Sequence, residues 1–154
     1  MPGYTFQLYR EQLVRRPLRE VFRFFTEAKN LELITPAFLH FRILTPPALL
    51  RIEPGARIDY RLRLFGIPFQ WCTQIETLEP ERRFSDIQLA GPYASWHHLH
   101  EFRETEGGTL VIDRVEYELP LGLLGRIAHA LFVRRSLERI FEYRRQRIEE
   151  LLNR

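Results

Sequence analysis

From Arg57 to Leu64 the chain alternates without a break, Ile58, Tyr60, Leu62 and Leu64 on one parity and Arg57, Asp59, Arg61 and Arg63 on the other. A period of two puts these sets on opposite faces, which predicts a strand with one apolar and one charged face. Tyr4 to Arg15, with Phe6, Leu8, Tyr9 and Val14, predicts an opening strand of less regular pattern. Leu39, Phe41 and Ile43 alternate with His40 and Arg42, predicting another strand that Pro46-Pro47 ends. Turn formers divide the rest. Gly66-Ile67-Pro68 leads into Phe69 to Leu78, Pro80 to Arg82 into Phe84 to Ala90, Gly91-Pro92 into Ser95 to Glu104, and Glu106-Gly107-Gly108 into Thr109 to Leu119.

Two regions carry the helical period instead. Pro17 suits a first helical turn, and Val21, Phe22, Phe24 and Phe25 follow at helical spacing to an end near Asn30; a second short helix, Leu31 to Ile34, is stopped by Pro36. Beyond Pro120 there is no proline, and beyond Gly125 no glycine, which predicts one long terminal helix. Its first half is apolar nearly all round (Leu123, Leu124, Ile127, Ala128, Leu131, Phe132, Val133) and is expected to be the more enclosed half. The second narrows to Leu137, Ile140, Phe141, Ile148 and Leu151. The order of strand, two short helices, six strands and long helix predicts an α+β chain with a seven-stranded antiparallel sheet covered by the terminal helix.

Hairpin arithmetic places the side chains, because opposed residues of an antiparallel pair keep a constant index sum. With the turn at Glu106-Gly107, Trp96 faces Tyr117, His98 faces Val115, His100 faces Asp113 and Phe102 faces Val111, while His97, Leu99 and Glu101 point the other way. Across Gly91 to Ser95, Ala90 opposes Trp96, Gln88 opposes His98, Asp86 opposes His100 and Phe84 opposes Phe102. Across Glu79 to Arg82, Ile75 faces Asp86 and Thr73 faces Gln88. One inner face therefore carries Tyr60, Trp71, Thr73, Gln88, Trp96, His98 and Tyr117 among aliphatic residues, with His100 between Asp86 and Asp113. Inward polar groups left without partners cost about 1–3 kcal/mol each, so this face implies a hydrogen-bonded network or a partly solvated cavity.

Composition narrows the classes. The chain has 154 residues, 45% apolar and 28% charged, the make-up of one ordinary globular domain over residues 1–154. There is no apolar run of membrane-spanning length, and MPGYTFQLYR lacks the zones of a signal peptide, so a cytoplasmic location is expected without stable membrane insertion. Cys72, the single cysteine, cannot form an intrachain disulfide or a paired-cysteine zinc site, and parity turns it outward. The net charge is +3, and Lys29 is the sole lysine among 23 basic residues. Eight arginines lie between Arg126 and Arg154, but Glu138, Glu142, Glu149 and Glu150 are interspersed, which reads as a solvated helix face; no nucleic-acid partner is expected.

The segments "GPYASWHHLHEF" (Gly91–Phe102) and "DRVEYELPLGLLGRIAH" (Asp113–His129), together with the element order, resemble the START and Bet v 1-related (SRPBCC) superfamily. The similarity runs over essentially the whole chain and is nearest to bacterial single-domain polyketide cyclase/dehydrase and lipid-transport-like proteins. It implies a helix-grip fold, in which a curved sheet wraps the terminal helix around a cavity that binds an apolar small molecule, with catalysis in some branches. The fold alone does not fix the function.

Several readings of the site follow. Tyr60, Trp71, Trp96 and Tyr117 would make apolar contact with a ligand, Ile127 and Leu131 would close it from the helix, and His98 with Gln88, beside Thr73, would bond a ligand oxygen. In an enzyme, His100 with Asp86 and Asp113 would supply acid and base groups, since flanking carboxylates stabilise an imidazolium. Alternatively the same three tie neighbouring strands together. His98 and His100 at i, i+2 near two carboxylates also resemble a metal set, but the spacing is permissive and neither a metal nor another cofactor is expected. The expected partner is a hydrophobic or aromatic, lipid- or polyketide-like molecule, held by a monomer or homodimer.

Overall fold

The structure, a computed structural model, describes residues 4–153. The first three residues of the stretch read for a signal peptide, and Arg154 of the arginine cluster, lie outside the described residues. Strands β1 (Thr5–Val14), β2 (Arg42–Ile43), β3 (Arg57–Leu64), β4 (Ile67–Glu79), β5 (Arg83–Ala90), β6 (Ser95–Thr105) and β7 (Gly108–Glu118) form one antiparallel sheet in the order β1-β7-β6-β5-β4-β3-β2. Helix α1 (Leu18–Thr26) and 3₁₀ turns at Ala28–Leu33, Ala37–Leu39 and Pro47–Leu49 connect β1 to the meander. The chain ends in α2 (Gly122–Ala128), a π turn (His129–Val133) and α3 (Arg134–Leu152).

The expected order of elements is present, with local differences. The opening helix stops at Thr26, and the strand expected from Leu39 shrinks to Arg42–Ile43, because the chain coils as a 3₁₀ turn through Leu39 and His40 takes a left-handed conformation at φ 48°. The β6–β7 register pairs Trp96 with Tyr117, His98 with Val115, His100 with Asp113 and Phe102 with Val111, as the tight turn dictates. The β4–β5 pairs Ile75 with Asp86 and Thr73 with Gln88 also form, between two bulges that bend β4. The β5–β6 register is different. Phe84 opposes His100 and Asp86 opposes His98, a slip of two residues that keeps every side chain on its expected face but moves it one pair along. The loop causes the slip: Gln88 folds over it, donating to the Tyr93 carbonyl at 2.8 Å and accepting from the Tyr93 amide at 3.1 Å. A Cβ on Gly91 would stand 2.5 Å from Gln88 Oε1, so only glycine leaves room for this clamp.

Helix α3 lies along the concave face and joins two apolar clusters. Ile148 and Leu152 pack with Val21, Phe25, Phe84, Phe102 and Val111 at one end. Leu137 and Phe141 pack with Leu8, Val115 and Tyr117 at the other. Asn153 fixes the helix end by accepting from the Arg15 amide at 2.5 Å and donating to the Leu13 carbonyl at 3.2 Å.

The expectation that the first half of the terminal helix is the enclosed one is corrected. Leu121, Leu123, Leu124, Ile127, Leu131 and Phe132 are between 48% and 76% exposed. In α2 only Gly125 is buried, because the helix backs onto the Leu119-Pro120 turn through it; an added Cβ there would strike the Pro120 carbonyl oxygen. Contact through a glycine holds the backbone close and turns the leucines outward.

Candidate functional site

A cavity of about 180 Å³ lies between the sheet and α3. Ile58, Leu62 and Ile75 from the sheet, Phe25 and Ile34 from the α1 region and Leu137 and Phe141 from α3 give it apolar walls. One side is aromatic: Trp71 stacks on Tyr60 (5.8 Å between centroids) and meets Trp96 edge-on at 5.3 Å and Tyr93 at 5.5 Å. Offset and edge-to-face pairs of this kind hold rings in place beyond what burial does.

The polar side lies between the two apolar clusters. His98 Nε2 and Asp113 Oδ1 are 2.7 Å apart, and His100 Nε2 and Asp86 Oδ2 are 2.8 Å apart. His100 Nδ1 stands 3.5 Å from Asp113 Oδ1 and makes no hydrogen bond, so that contact is electrostatic only. The guanidinium of Arg144, on α3, lies 3.6 Å from the same Asp113 oxygen. The His100 ring is held by stacking between Phe84 (4.1 Å) and His98 (3.7 Å).

These surroundings fix the charges. Burial opposes the ionised form of Asp113, but Arg144 and then the two histidines outweigh it and hold the carboxyl well below its usual range. Asp86 is likewise lowered against burial, by its bond to His100. Burial works against the His100 imidazolium too, yet the two carboxylates prevail and its pKa is raised. For His98 burial wins, helped by the neighbouring imidazolium, and its pKa falls to about 4. The group therefore sets two carboxylates against the Arg144 guanidinium and a His100 whose charged form is favoured, beside a His98 held neutral.

Of the residues expected to meet a ligand, Tyr60, Trp71, Thr73, Trp96 and His98 line the cavity, as do Asp86 and His100. Asp113 stands behind them as the acceptor for His98. Four others are placed elsewhere. Gln88 serves the Tyr93 clamp rather than His98, whose partner is Asp113. Tyr117 is buried beneath Trp96, with its hydroxyl 2.7 Å from His129 Nε2. Ile127 and Leu131 do not line the cavity, because the half of the helix that carries them stands out in solvent. Sequence reasoning missed Arg144, which it counted with the solvated face. Its spacing was the signal: Leu137, Phe141, Arg144 and Ile148 form one stripe at steps of four, three and four, and Arg144 is the lone charge on it.

Ligand atoms of Asp86, His98 and His100 lie within 4.8 Å of one another, as a metal set would require. The rings do not suit one. They stack with planes 24° apart, so their in-plane lone pairs run side by side instead of converging on a point. Each Nε2 is also engaged by its own carboxylate.

A family model described as polyketide cyclase / dehydrase and lipid transport matches residues 14–141. The chain belongs to this family. Among solved structures, it is similar to protein CV1439 from Chromobacterium violaceum (14% identity, covering 98% of this chain and 99% of that one, TM-score 0.71). It is similar also to the ginseng major latex-like protein 151 from Panax ginseng (15% identity, 96% and 97% covered, TM-score 0.69) and to Ara h 8.0201 (11% identity, 96% and 99% covered, TM-score 0.62). These likenesses establish the helix-grip fold that polyketide cyclase/dehydrase proteins share with the Bet v 1-like group. Together, family and fold support a hydrophobic-ligand-binding role. No curated protein matches the chain. No helix among the described residues is long and apolar enough to cross a membrane.

Proposed function

We propose that the cavity binds a compact hydrophobic or aromatic molecule, lipid- or polyketide-like in its apolar part, that presents oxygen to the polar wall. One observation carries this reading. Trp71 Nε1, Thr73 Oγ1, His100 Nδ1 and Arg144 Nε are all buried without a hydrogen-bond partner, and all belong to residues lining the same cavity. Unpartnered buried groups are costly, at about 1–3 kcal/mol each; Trp71 Nε1 and Arg144 Nε can only donate, and the charged form of His100, which its carboxylates favour, makes Nδ1 a donor too. A carbonyl or carboxylate oxygen satisfies such donors. Size sets the other limit: apolar cavities of about 150 Å³ hold a benzene ring, while ordinary ligand pockets run from about 300 Å³ upward. At 180 Å³ the cavity takes one ring or a short chain, and a larger ligand needs the sheet and helix to part. On this reading the chain acts as a single cytoplasmic ligand-binding domain, monomeric or homodimeric, without nucleic acid.

Both tryptophans of the chain, Trp71 and Trp96, line the cavity, so fluorescence reports directly on its occupancy. Titration with small aromatic ketones and carboxylates should quench them, and native mass spectrometry of protein from its own host should show a retained ligand. Absence of both a retained mass and any quenching across such a panel overturns the proposal.

A second reading, a cofactor-free cyclase or dehydratase with His100, Asp86 and Asp113 as acid and base groups, is favoured by the imidazolium at the cavity wall. It requires turnover that His100→Ala abolishes while tryptophan quenching by the ligand persists. The structure supports binding better, because an imidazolium flanked by two carboxylates gives up its proton reluctantly.

A further inference from the structure

The exposed apolar residues of α2 and the π turn do not stand alone. The tip of the β3–β4 hairpin carries Phe65 and Ile67, both more than half exposed, and the Phe65 ring meets Phe132 edge-on at 6.0 Å. A groove of about 230 Å³ runs between this tip and α2, and one of about 400 Å³ between the tip and the π turn. Three separate elements thus present leucine, isoleucine and phenylalanine at one end of the molecule, where an ordinary surface would be polar. That end also lacks negative charge. No Asp or Glu occurs from Tyr60 to Ile75, nor from Leu119 to Leu137. Arg63, Arg135 and Arg139 border the second groove, Arg126 stands on α2, and none of the four makes an ion pair among the described residues.

We propose that this end docks reversibly on an anionic lipid bilayer, with Leu121, Leu123, Leu124, Ile127 and Phe65 seated among the acyl chains and the unpaired arginines at the phosphates. Apolar side chains ringed by arginine and free of carboxylates match an anionic interface, where the basic groups meet headgroups while the apolar ones leave water. A second copy of the chain fits less well. Two-fold pairing sets a surface against itself, so each arginine would face its own kind with no acid between. The grooves adjoin the cavity, since Leu64 borders all three spaces, Leu39 is shared with the second groove and Tyr93 with the first. The docked face would thus adjoin the chamber, although docking itself does not depend on what the chamber holds.

Co-sedimentation with vesicles tests this. The protein should pellet with equimolar phosphatidylglycerol and phosphatidylcholine, far less with phosphatidylcholine alone, and be released by salt. The double substitution Leu123→Asp/Leu124→Asp should weaken binding at least tenfold, and Arg63→Ala and Arg135→Ala about fivefold each. All four positions are exposed, so unchanged Tm values establish that these variants fold. Failure to pellet with either lipid overturns the proposal, as does binding that ignores both kinds of substitution. It is overturned too if ultracentrifugation finds a dimer that the leucine substitutions dissociate while vesicles stay unbound, or if duplex DNA binds with loss only in the arginine variants.

Discussion

The two halves of the terminal helix reverse what their composition suggests. Residues 121–133 are almost wholly apolar and largely exposed, whereas α3, dense in arginine and glutamate, buries Leu137, Phe141, Ile148 and Leu152. The difference lies in what each half is set against. Helix α3 runs along the concave sheet and presents a narrow stripe whose spacing fits the groove. Helix α2 leaves the sheet at Pro120, touches the body through Gly125, and meets no surface able to take its leucines. Burial follows from a matching partner surface, and a surplus of apolar residues without one marks a place where something else can bind. The buried half, conversely, contains the one charge on its stripe, Arg144, at the layer where β6 and β7 supply His98, His100 and Asp113.

The largest expected effect follows from that layer. Arg144→Leu removes the guanidinium and leaves two buried carboxylates with only the two histidines beside them. Breaking a buried, compensated set by removing one member costs about 3–5 kcal/mol. Urea unfolding should show that loss. Adding Asp113→Asn should recover part of it, since neutralising the stranded carboxylate restores the balance; strict additivity of the two changes would contradict the coupled layer. No substitution of the α2 leucines should approach this size.

The next effect is read with pH. In the unfolded chain a histidine titrates near 6.5, while folded His98 resists protonation until about pH 4. The unfolded state therefore binds the extra proton first, and stability present above pH 6.5 is lost as pH falls towards 4. At about 1.4 kcal/mol per unit the full loss is about 3–4 kcal/mol. The other buried groups act in different windows. His100, raised, is fully stabilising below pH 6.5 and loses its contribution only as pH rises through its folded value. Asp86 and Asp113, lowered, keep theirs until pH falls below the ordinary carboxylate range. His129, lowered by partial burial, adds a smaller loss of the same sign as His98. Stability followed by thermal melts from pH 7 to pH 4 should thus fall steeply in the wild type. His98→Gln, which retains an N–H for Asp113, should flatten most of that slope.

How far the sequence reveals these things depends on the range of the interaction. The β6–β7 pairing was legible because the Glu106–Gly108 turn is too short to absorb a slip, which fixed His100 opposite Asp113. The β5–β6 register was not, because Gln88 uses its side chain to hold the Tyr93 backbone, a choice no periodicity encodes. An even slip still kept Asp86, His98 and His100 on the inner face, so the composition of the polar wall was right while its pairing changed. Arg144 was visible as a break in the Leu137–Phe141–Ile148 stripe, but its partner on β7 depends on tertiary packing alone. The outward turn of α2 lay beyond reach for a similar reason: Gly125 shows that a close approach is possible, without showing against what.

The smallest expected effect sharpens the contrast most. Ile127→Ser and Leu131→Ser each remove a large apolar side chain from a helix, a change that in a core costs several kcal/mol. Here both side chains are already about half or more in water, and exposed substitutions usually move stability by less than about 0.5 kcal/mol. Urea midpoints should therefore be nearly unchanged, and tryptophan quenching by a cavity ligand should be unchanged too, because neither residue lines the cavity. A loss above about 2 kcal/mol in dilute, lipid-free protein, in the range of core truncations, would mean that α2 folds inward in solution and closes on the cavity. The exposed end would then be a lid, and the division of the helix into a buried polar half and an exposed apolar half would fail.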